Sequence, residues 1–427
     1  MTCRWFCLGA ALLWTAALSL CGQPFTLQFT APALDRWVYF AGDLDGARPA
    51  ASTWGSFDPR FDTRDGQFLL GWDTATLVPT NAGPARYLLR RARLTLTVTQ
   101  ADKFAYDPTH DGFETYSTNT PAYRPDDDPG RPVELFGAGF RGGYTAASFL
   151  EDSPYGQVNP FTSSNITIAT RHAYAAAFDT NGALVDISNH VGQRNAGWTQ
   201  PEFEVRPWAV GQTTNAAPGE LVPDDARFTF EVDLADPLVA GALQRALHEG
   251  RLRLVVSSLH PAGQVGGPVG GGGQGSFPLW ATKENLVYDP PHLELDGRVM
   301  RDTDTDGDGL PDDWEDFHFG DLADGATDDY DQDGAGNGEE FRAGTNPDDA
   351  ASRFMITRQA RAEGLLTVEF TTAPSRVYSL RASPDLETWR AVTATLTFPQ
   401  AGVGRFTAAD AVLPATVFLA VEAEPVP

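Results

Sequence analysis

Two acidic loops built on one template lie within residues 304 to 340 of this chain. The first reads DTDGDGLPDDWE from Asp304, and the second reads DYDQDGAGNGEE from Asp329. Each loop has aspartate at positions 1, 3 and 5, glycine at position 6 and glutamate at position 12. Calcium is a hard cation that takes about six to eight oxygens, so alternate side chains converge on it, while glycine permits the sharp turn. The loops therefore predict two calcium ions.

The template assigns side-chain oxygens at positions 1, 3, 5, 9 and 12 and a backbone carbonyl at position 7 to each ion. The predicted metal ligands are Asp304, Asp306, Asp308, Leu310, Asp312 and Glu315 in the first loop, and Asp329, Asp331, Asp333, Ala335, Asn337 and Glu340 in the second. Without metal, carboxylates held ~4 Å apart in water repel by about 1 kcal/mol per pair. We therefore expect the loops to be disordered in a chelator.

The residues around the first loop predict that this is not an ordinary EF-hand pair. The stretch before Asp304 reads HLELDGRVMRDT, a strand and a turn, whereas an EF-hand has a helix on each side of its loop. Pro311 lacks a backbone donor but suits the first turn of a helix through Trp314 and Phe317. The two loops are thus expected to act in series. A solvated acidic linker is the alternative interpretation.

The phrases DTDGDGLPDDWE and GEEFRAGTNP resemble the calcium linkers of thrombospondin type 3 repeats over residues 302 to 349. Similar linkers occur in secreted bacterial surface proteins and in polysaccharide-active enzymes. The resemblance implies a double calcium-loop linker. Dockerins use similar loops and are the second candidate family, but each dockerin loop ends in a full helix, and Pro347 leaves little room for one.

The N-terminus predicts export. Arg4 precedes the apolar run CLGAALLWTAALSL, which has the length of a secretory h-region and is too short to span a membrane. We therefore expect a signal peptide over residues 1 to 22, a secreted or outer-surface location, and no transmembrane segment in the mature chain. LSLC also resembles a lipoprotein signal, although Leu20 is large for the position before a lipidated Cys21.

Composition excludes several classes of function. Cysteine occurs only at positions 3, 7 and 21, so we expect a mature chain without disulfides, thiol nucleophiles or cysteine metal sites. A chain of 427 residues that is 42% hydrophobic predicts a globular protein of two or three domains with a sizeable core. The formal charge of −26 repels phosphate backbones, so nucleic acid is not an expected partner.

Residues 24 to 298 carry the signals of a large antiparallel β-sandwich. RARLTLTVT and RFTFEVDL alternate apolar and polar residues, and RLRLVVSSL is typical of a buried strand. DPLVAGALQRALHEG predicts one helix, with Asp236 as N-cap, Pro237 as the first helical residue and Gly250 at its end. We expect this helix to pack across an edge or an end of a sheet.

The order of these segments resembles the DNRLRE-type jelly rolls, a group that includes carbohydrate-binding modules of polysaccharide-degrading enzymes. DGQFLLGWDTATL and RRARLTLTV carry the resemblance at one end, and GRLRLVVSS, FPLWATKEN and PPHLELDG carry it at the other. It implies a mainly β, jelly-roll-like fold. Residues 100 to 225 depart from the pattern, so we expect an insertion of long loops and short strands on one side of the sandwich.

This insertion is the expected place for a binding surface. Proteins recognise sugars with flat aromatic faces and with carboxylates and amides at the hydroxyl groups. Core packing is the commoner use of large aromatic side chains in a sandwich. The candidate ligand-binding residues are Trp54, Tyr155, Trp198 and Trp208.

Residues 353 to 427 predict a small C-terminal β-sandwich module, because LLTVEFTT, RVYSLRAS, WRAVTATLTF and VFLAVEAE read as strands. YSLRASPDLETW resembles a terminal module that is frequent in exported proteins of Verrucomicrobia-like bacteria. The resemblance suggests a secreted bacterial surface protein.

The motifs favour a protein without catalytic activity. The sequence contains neither HExxH nor GxSxG, and its seven histidines lack metal-ligand spacing, so no catalytic residue is assigned. We expect a secreted calcium-binding protein that binds a polysaccharide or cell-surface glycan or acts in adhesion. One alternative is a polysaccharide lyase or hydrolase with its site in the insertion, where His110 with Tyr116 or His172 with Tyr174 are candidate acid–base pairs. A purely structural surface protein is the third. The identity of the glycan and the oligomeric state stay open.

Overall fold

The computed structural model describes residues 22–39, 48–56, 62–116, 121–156, 171–191, 203–262, 276–410 and 417–426. Within these ranges the chain is mainly β, as predicted, with antiparallel pairing between its strands. The predicted signal peptide lies outside the described residues except for its last one, Gly22. None of the helices in the described ranges is both long enough and apolar enough to cross a membrane.

Fourteen of the described strands lie between Pro24 and Val299. They are β1 Pro24–Phe29, β2 Leu34–Val38, β3 Ala50–Ser52, β4 Trp54–Gly55, β5 Arg64–Trp72, β6 Tyr87–Thr97, β7 Val133–Phe140, β8 Ala173–Phe178, β9 Leu184–Asp186, β10 Ala209–Val210, β11 Arg227–Glu231, β12 Leu252–Ser258, β13 Leu279–Ala281 and β14 His292–Val299. Short 3₁₀ turns lie at Thr74–Thr76, Pro84–Arg86 and Phe113–Thr115.

Two antiparallel sheets form the sandwich. One has the order β1-β14-β6-β11, and the other has the order β2-β5-β12-β7-β8-β9, with β4 beside β5 and β10 beside β7. If β1, β5, β6, β7, β8, β11, β12 and β14 are numbered one to eight, the sheets read 1-8-3-6 and 2-7-4-5. This is the strand order of a double-sheet jelly roll. The small pair β3 and β13 lies outside both sheets.

The main hydrophobic core lies between these two sheets. Strand alternation turns every second side chain of each strand inward, so Leu94 and Leu96 of β6 face Phe68 and Leu70 of β5 across the same cluster. Each of these four side chains is fully buried, which stabilises the fold by about 1.5–3 kcal/mol per side chain relative to exposure.

The larger sheet is buried on both faces. All nine residues of β5 are buried, because Phe68 and Leu70 enter the main core while Leu69 enters a second cluster on the opposite face. That second cluster is covered by the loops that carry Phe149 and Ile187. A strand buried on both faces explains why FLLGW lacks a polar alternation.

The segment from 100 to 225 differs from the sequence prediction. It was expected to be an insertion of loops and short strands, yet it supplies β7 and β8, the fourth and fifth strands of the jelly roll. Strand β7 pairs with β12 in continuous register from Ser258 opposite Val133 to Leu254 opposite Gly137. Its sequence, VELFGAGF, and that of β8, AYAAAF, consist largely of small and apolar residues, so period-two alternation did not reveal them.

The predicted helix is confirmed as α1, Pro237–Glu249. Asp236 is its N-cap and accepts a hydrogen bond from the backbone N–H of Leu238 at 2.9 Å, and Gly250 ends the helix with φ 74°. Gln244 Nε2 donates to the carbonyl of Tyr87 at 2.9 Å, which attaches the helix to the start of β6.

Two further helices begin at position 9 of the acidic loops: α2 is Asp312–His318 and α3 is Asn337–Ala343. The sequence predicted Pro311 in the first turn of this helix, whereas it is the N-cap of α2, one residue before the helix begins. Trp314 of α2 and Phe341 of α3 meet edge to face with centroids 5.5 Å apart. Their small core includes Met300, so the two helices pack against each other and against the end of the sandwich.

The C-terminal residues form a small sandwich, as the sequence predicted. Its core contains Leu366, Val368, Phe370, Leu380 and Phe406. The two sheets have the orders β15-β16-β20-β19 and β18-β17-β21. Their strands are β15 Ile356–Ala362, β16 Leu365–Thr371, β17 Arg376–Ser383, β18 Arg390–Ala391, β19 Thr395–Gln400, β20 Val403–Ala409 and β21 Phe418–Pro425.

Candidate metal centre

The first acidic loop winds around the carboxylate of Asp304. Its Oδ1 accepts a hydrogen bond from the N–H of Gly307 at 2.7 Å, and its Oδ2 accepts one from Gly309 at 3.1 Å. Asp304, Asp306 and Asp308 each place one carboxylate oxygen within 4.8 Å of the others. Calcium–oxygen distances of about 2.3–2.6 Å make such a spacing suitable for one shared ion.

The second loop repeats this geometry around Asp329. Its Oδ2 accepts a hydrogen bond from the N–H of Gly334 at 2.9 Å, and Asp329, Asp331 and Asp333 again lie within 4.8 Å of one another. The glycines at position 6 have nearly identical left-handed backbones, with φ 100° at Gly309 and 99° at Gly334. The two loops therefore share the same left-handed turn at position 6.

The side chains at position 9 brace each loop from within. Asp312 accepts hydrogen bonds from the backbone N–H of Thr305 at 2.7 Å and from its hydroxyl at 2.6 Å. In the second loop, Asn337 Oδ1 accepts a hydrogen bond from the N–H of Tyr330 at 3.2 Å. Position 9 of an EF-type loop often reaches calcium through a water molecule. Such a contact leaves these bracing hydrogen bonds in place.

The glutamates at position 12 are buried with unpartnered oxygens. Glu315 and Glu340 are 0% and 1% exposed, and they lie in the first turns of α2 and α3. Within the described part of the chain, neither oxygen of Glu315 nor Oε2 of Glu340 has a hydrogen-bond partner. Glu340 Oε1 accepts from the hydroxyl of Thr345 at 3.0 Å. An ionised carboxylate in such surroundings needs a cation.

Burial, together with repulsion from Asp308 and Asp306, raises the pKa of the Glu315 carboxyl to about 7. Burial also raises the pKa of Glu340 to about 7, with repulsion from Asp331 among the causes. Both glutamates therefore face several negative charges at neutral pH. A divalent cation at the centre of each loop would remove this repulsion.

Two arginines attach the first loop to the sandwich. Arg301 holds the carboxylate of Asp313 through Nε and Nη2, and the guanidinium of Arg298 donates to the backbone carbonyl of Asp313 at 3.2 Å. Arg298 also pairs with Asp316. These contacts fix α2, which carries Glu315, beside β14.

The second loop contacts the C-terminal module. Arg353 Nε lies 3.2 Å from Oδ2 of Asp333, a predicted calcium ligand. Arg376 of β17 donates to the carbonyls of Phe341 at 2.9 Å and Arg342 at 2.8 Å, close to the C-terminal end of α3. The sequence analysis missed these arginines, because their partners are distant along the chain and belong to no local motif.

The predicted ligand-binding aromatics lie in the interior where they are described. Trp54, Tyr155 and Trp208 are 6%, 8% and 3% exposed, and Trp198 lies outside the described residues. Trp208 stacks on Phe178 with centroids 6.3 Å apart. Such burial is typical of core packing and leaves little of these rings open to a ligand. Glycan binding by these residues stays a prediction from the sequence.

The residues of the two candidate acid–base pairs, His110 with Tyr116 and His172 with Tyr174, all lie in the described ranges. Burial lowers the pKa of His110, but hydrogen bonds with Glu134 and Glu204 outweigh that effect and raise it to about 10. A histidine that keeps its proton to this pH is a poor general base near neutrality. Burial raises the pKa of Tyr116 well above its ordinary value. His172 Nδ1 lies 3.2 Å from the carbonyl of Pro154, and the ring of Tyr174 lies 4.2 Å from the guanidinium of Arg141.

Comparison with known proteins adds no relative. No family model, curated protein or solved structure matches this chain. The resemblances to thrombospondin type 3 repeats and to DNRLRE-type jelly rolls therefore stay predictions from the sequence, and the functional argument depends on the geometry of the loops.

Proposed function

We propose that this protein is a secreted calcium-binding protein in which two ions stiffen residues 302 to 349 between the jelly roll and the C-terminal module. The observation that carries the proposal is the burial of Glu315 and Glu340, with carboxylate oxygens that lack partners within the described residues. Each glutamate is repelled by the aspartates that converge in its own loop. The secretory pattern of the N-terminus supports an extracellular setting, where calcium is plentiful.

The loops supply the hard oxygen ligands that calcium prefers. The aspartates at positions 1, 3 and 5, the carbonyls of Leu310 and Ala335, and the glutamates at position 12 would hold the ions, and calcium would supply the positive charge that these carboxylates require. Because Glu315 and Glu340 lie in α2 and α3, binding would fix both helices. Trp314 and Phe341 would then order the small core that packs the linker against the jelly roll.

The decisive experiment is calorimetric titration of the calcium-free, full-length mature protein with calcium. Glu315→Gln and Glu340→Gln should each abolish binding of one calcium ion per chain or lower the affinity for that ion at least about tenfold, since each removes the charge of a bidentate ligand. Glu339→Gln is the matched control, because Glu339 neighbours Glu340 but is exposed. If both position-12 variants bind calcium as the control does, the linker sites do not exist.

The role of the jelly roll is a separate proposal. The sequence predicts carbohydrate binding or adhesion, with a polysaccharide lyase or hydrolase and a purely structural protein as alternatives. A polysaccharide array with the mature protein, in calcium and in chelator, separates these three. Retention without product supports binding, release of reducing or unsaturated ends supports an enzyme, and neither signal supports a calcium-stiffened structural protein.

A further inference from the structure

A different acidic cluster lies in the connection between β6 and β7, outside the linker. Four aspartates there each place one carboxylate oxygen within 4.8 Å of the other three. They are Asp107, Asp111, Asp126 and Asp128, and together they are called the aspartate cluster. Asp107 and Asp111 are 2% and 4% exposed, so half of the cluster is withdrawn from solvent, unlike the exposed aspartates of the first linker loop.

The aspartate cluster joins the two ends of the β6–β7 connection. Asp107 and Asp111 follow a backbone bridge from Ala105 to Leu221, whereas Asp126 and Asp128 precede β7. The two ends touch at Gly130, where φ is 117° and an added Cβ would lie 2.9 Å from the Cβ of Asp107. The fold thus holds like charges together at the base of a long loop.

Internal partners neutralise only part of this charge. Arg131 Nη1 lies 2.7 Å from Asp111 Oδ2 and 2.9 Å from Asp126 Oδ2. Asp107 Oδ1 accepts a hydrogen bond from the backbone N–H of Thr109 at 2.9 Å, and Thr109 Oγ1 lies 2.9 Å from the same oxygen and 2.8 Å from Asp128 Oδ2. These neutral donors carry no positive charge. Four carboxylates therefore share one guanidinium, which leaves a formal charge of −3.

The remaining oxygens point to a missing positive partner. Asp107 Oδ2 and Asp128 Oδ1 are shut off from solvent and have no hydrogen-bond partner among the residues that the structure describes. Asp107 is almost completely buried, and its side chain belongs to the same group of converging carboxylates. A buried carboxylate oxygen without a partner favours a bound cation, because burial of negative charge is otherwise unfavourable.

Another acidic cluster in the same sandwich shows how the fold satisfies such a group with its own side chains. Asp35, Glu151 and Glu284 also converge, but the ammonium of Lys283 lies among them. Its Nζ is 2.7 Å from Asp35 Oδ1 and 3.3 Å from Glu284 Oε1, and it also contacts Glu151. In the aspartate cluster, by contrast, the described residues provide no cation that contacts all four carboxylates. Arg131 contacts only Asp111 and Asp126.

We propose that the aspartate cluster is a third calcium site, built into the jelly roll and independent of the linker. Carboxylate oxygens are the ligands that calcium prefers, and four of them within one ion's reach suit calcium better than the rigid octahedron of magnesium. A bound ion would pair with the buried oxygen of Asp107 and tie the start of the β6–β7 connection to its end.

The test counts calcium ions per chain by equilibrium dialysis of the full-length mature protein against calcium alone, followed by elemental analysis. The wild-type chain should bind three ions, and Asp107→Asn should bind two. The variant with both Glu315→Gln and Glu340→Gln should keep the ion of the aspartate cluster, and adding Asp107→Asn to it should remove that ion. The difference made by Asp107→Asn therefore reports on this site whether or not the linker binds calcium.

Asp127→Asn is the matched control, because Asp127 lies between two members of the aspartate cluster but is exposed and outside it. It should bind as many ions as the wild-type chain. Circular dichroism checks that each variant is folded, and Asp128→Asn, at a half-buried position, replaces Asp107→Asn if that variant does not fold. A folded variant that binds as many ions as Asp127→Asn overturns the proposal.

Discussion

Arg301 and Asp313 form a two-point ion pair, in which Nε donates to Oδ2 and Nη2 donates to Oδ1, both at 2.9 Å. Arg301 follows β14, and Asp313 is the second residue of α2. The pair therefore joins the last strand of the jelly roll to the helix that carries Glu315. A paired guanidinium and carboxylate of this geometry is stronger than a neutral hydrogen bond.

We expect Asp313→Asn to loosen the first acidic loop from the sandwich. The substitution keeps the shape of the side chain but removes the charge that both arginines face, which should cost about 1–3 kcal/mol of stability. Scanning calorimetry in calcium should show the linker unfolding at a lower temperature than in the wild-type chain. Asp321→Asn, at an exposed position in the same segment, should leave the transition unchanged. Equal melting of the two variants would show that the ion pair does not hold the linker.

The stability of the chelated protein should depend on the pH through Glu315 and Glu340. Their folded pKa of about 7 lies above the ordinary value of 4.5, so the folded chain holds these protons more tightly than the unfolded chain. Stability from these groups is therefore greatest below pH 4.5 and falls as the pH rises toward 7. In chelator, the linker should melt at a higher temperature at pH 5.5 than at pH 8.

Calcium should reverse this pH dependence, because the metal binds the deprotonated carboxylates and competes with protons. The variant with both Glu315→Gln and Glu340→Gln should show a weaker dependence on the pH in chelator, since its amides do not titrate in this range. A wild-type chain and a double variant that respond identically to the pH would assign the effect to other groups.

Chelation should open the linker to proteases while the jelly roll stays intact. The linker has a small core around Trp314, whereas the sandwich has a separate and much larger one. Limited proteolysis in chelator should cut between residues 299 and 350, and calcium should protect the same bonds. Mass spectrometry of the fragments locates the cuts. Protection in chelator would indicate a linker that folds without metal.

Local signals in the sequence predicted much of the fold. Asp236, Pro237 and Gly250 marked both ends of α1, because capping chemistry depends on neighbours in the chain. The acidic template predicted a sharp turn at position 6 of both loops, and Gly309 and Gly334 have matching left-handed conformations. In each case, the residues that determine the structure belong to one short, continuous segment of the chain.

Long-range features escaped the sequence analysis. Strand β7 joins the centre of the larger sheet through β12, and its glycines and alanines give no alternating pattern. The aspartate cluster brings Asp107 together with Asp128, which are 21 positions apart and fit no spaced motif. Only the pairing of strands and the closure of the loop place such residues in contact, and these depend on the whole chain.

Arg376 offers a test of coupling between the second acidic loop and the C-terminal module. Its guanidinium donates to the carbonyls of Phe341 and Arg342, where the negative end of a helix favours a cation. Burial lowers the pKa of Arg376 to about 10, so the group stays protonated at neutral pH.

We expect Arg376→Ala to weaken calcium binding at the second loop by a few-fold, because α3 carries Glu340 and would lose the cation at its C-terminal end, worth about 0.3–1 kcal/mol. Binding at the first loop should not change. Calorimetric titration of Arg376→Ala in the Glu315→Gln background isolates the second loop from the first. Arg358→Ala, which replaces an exposed arginine of the same module, is the matched control. If both arginine variants bind calcium equally well, the module and the loop are in contact without being energetically coupled.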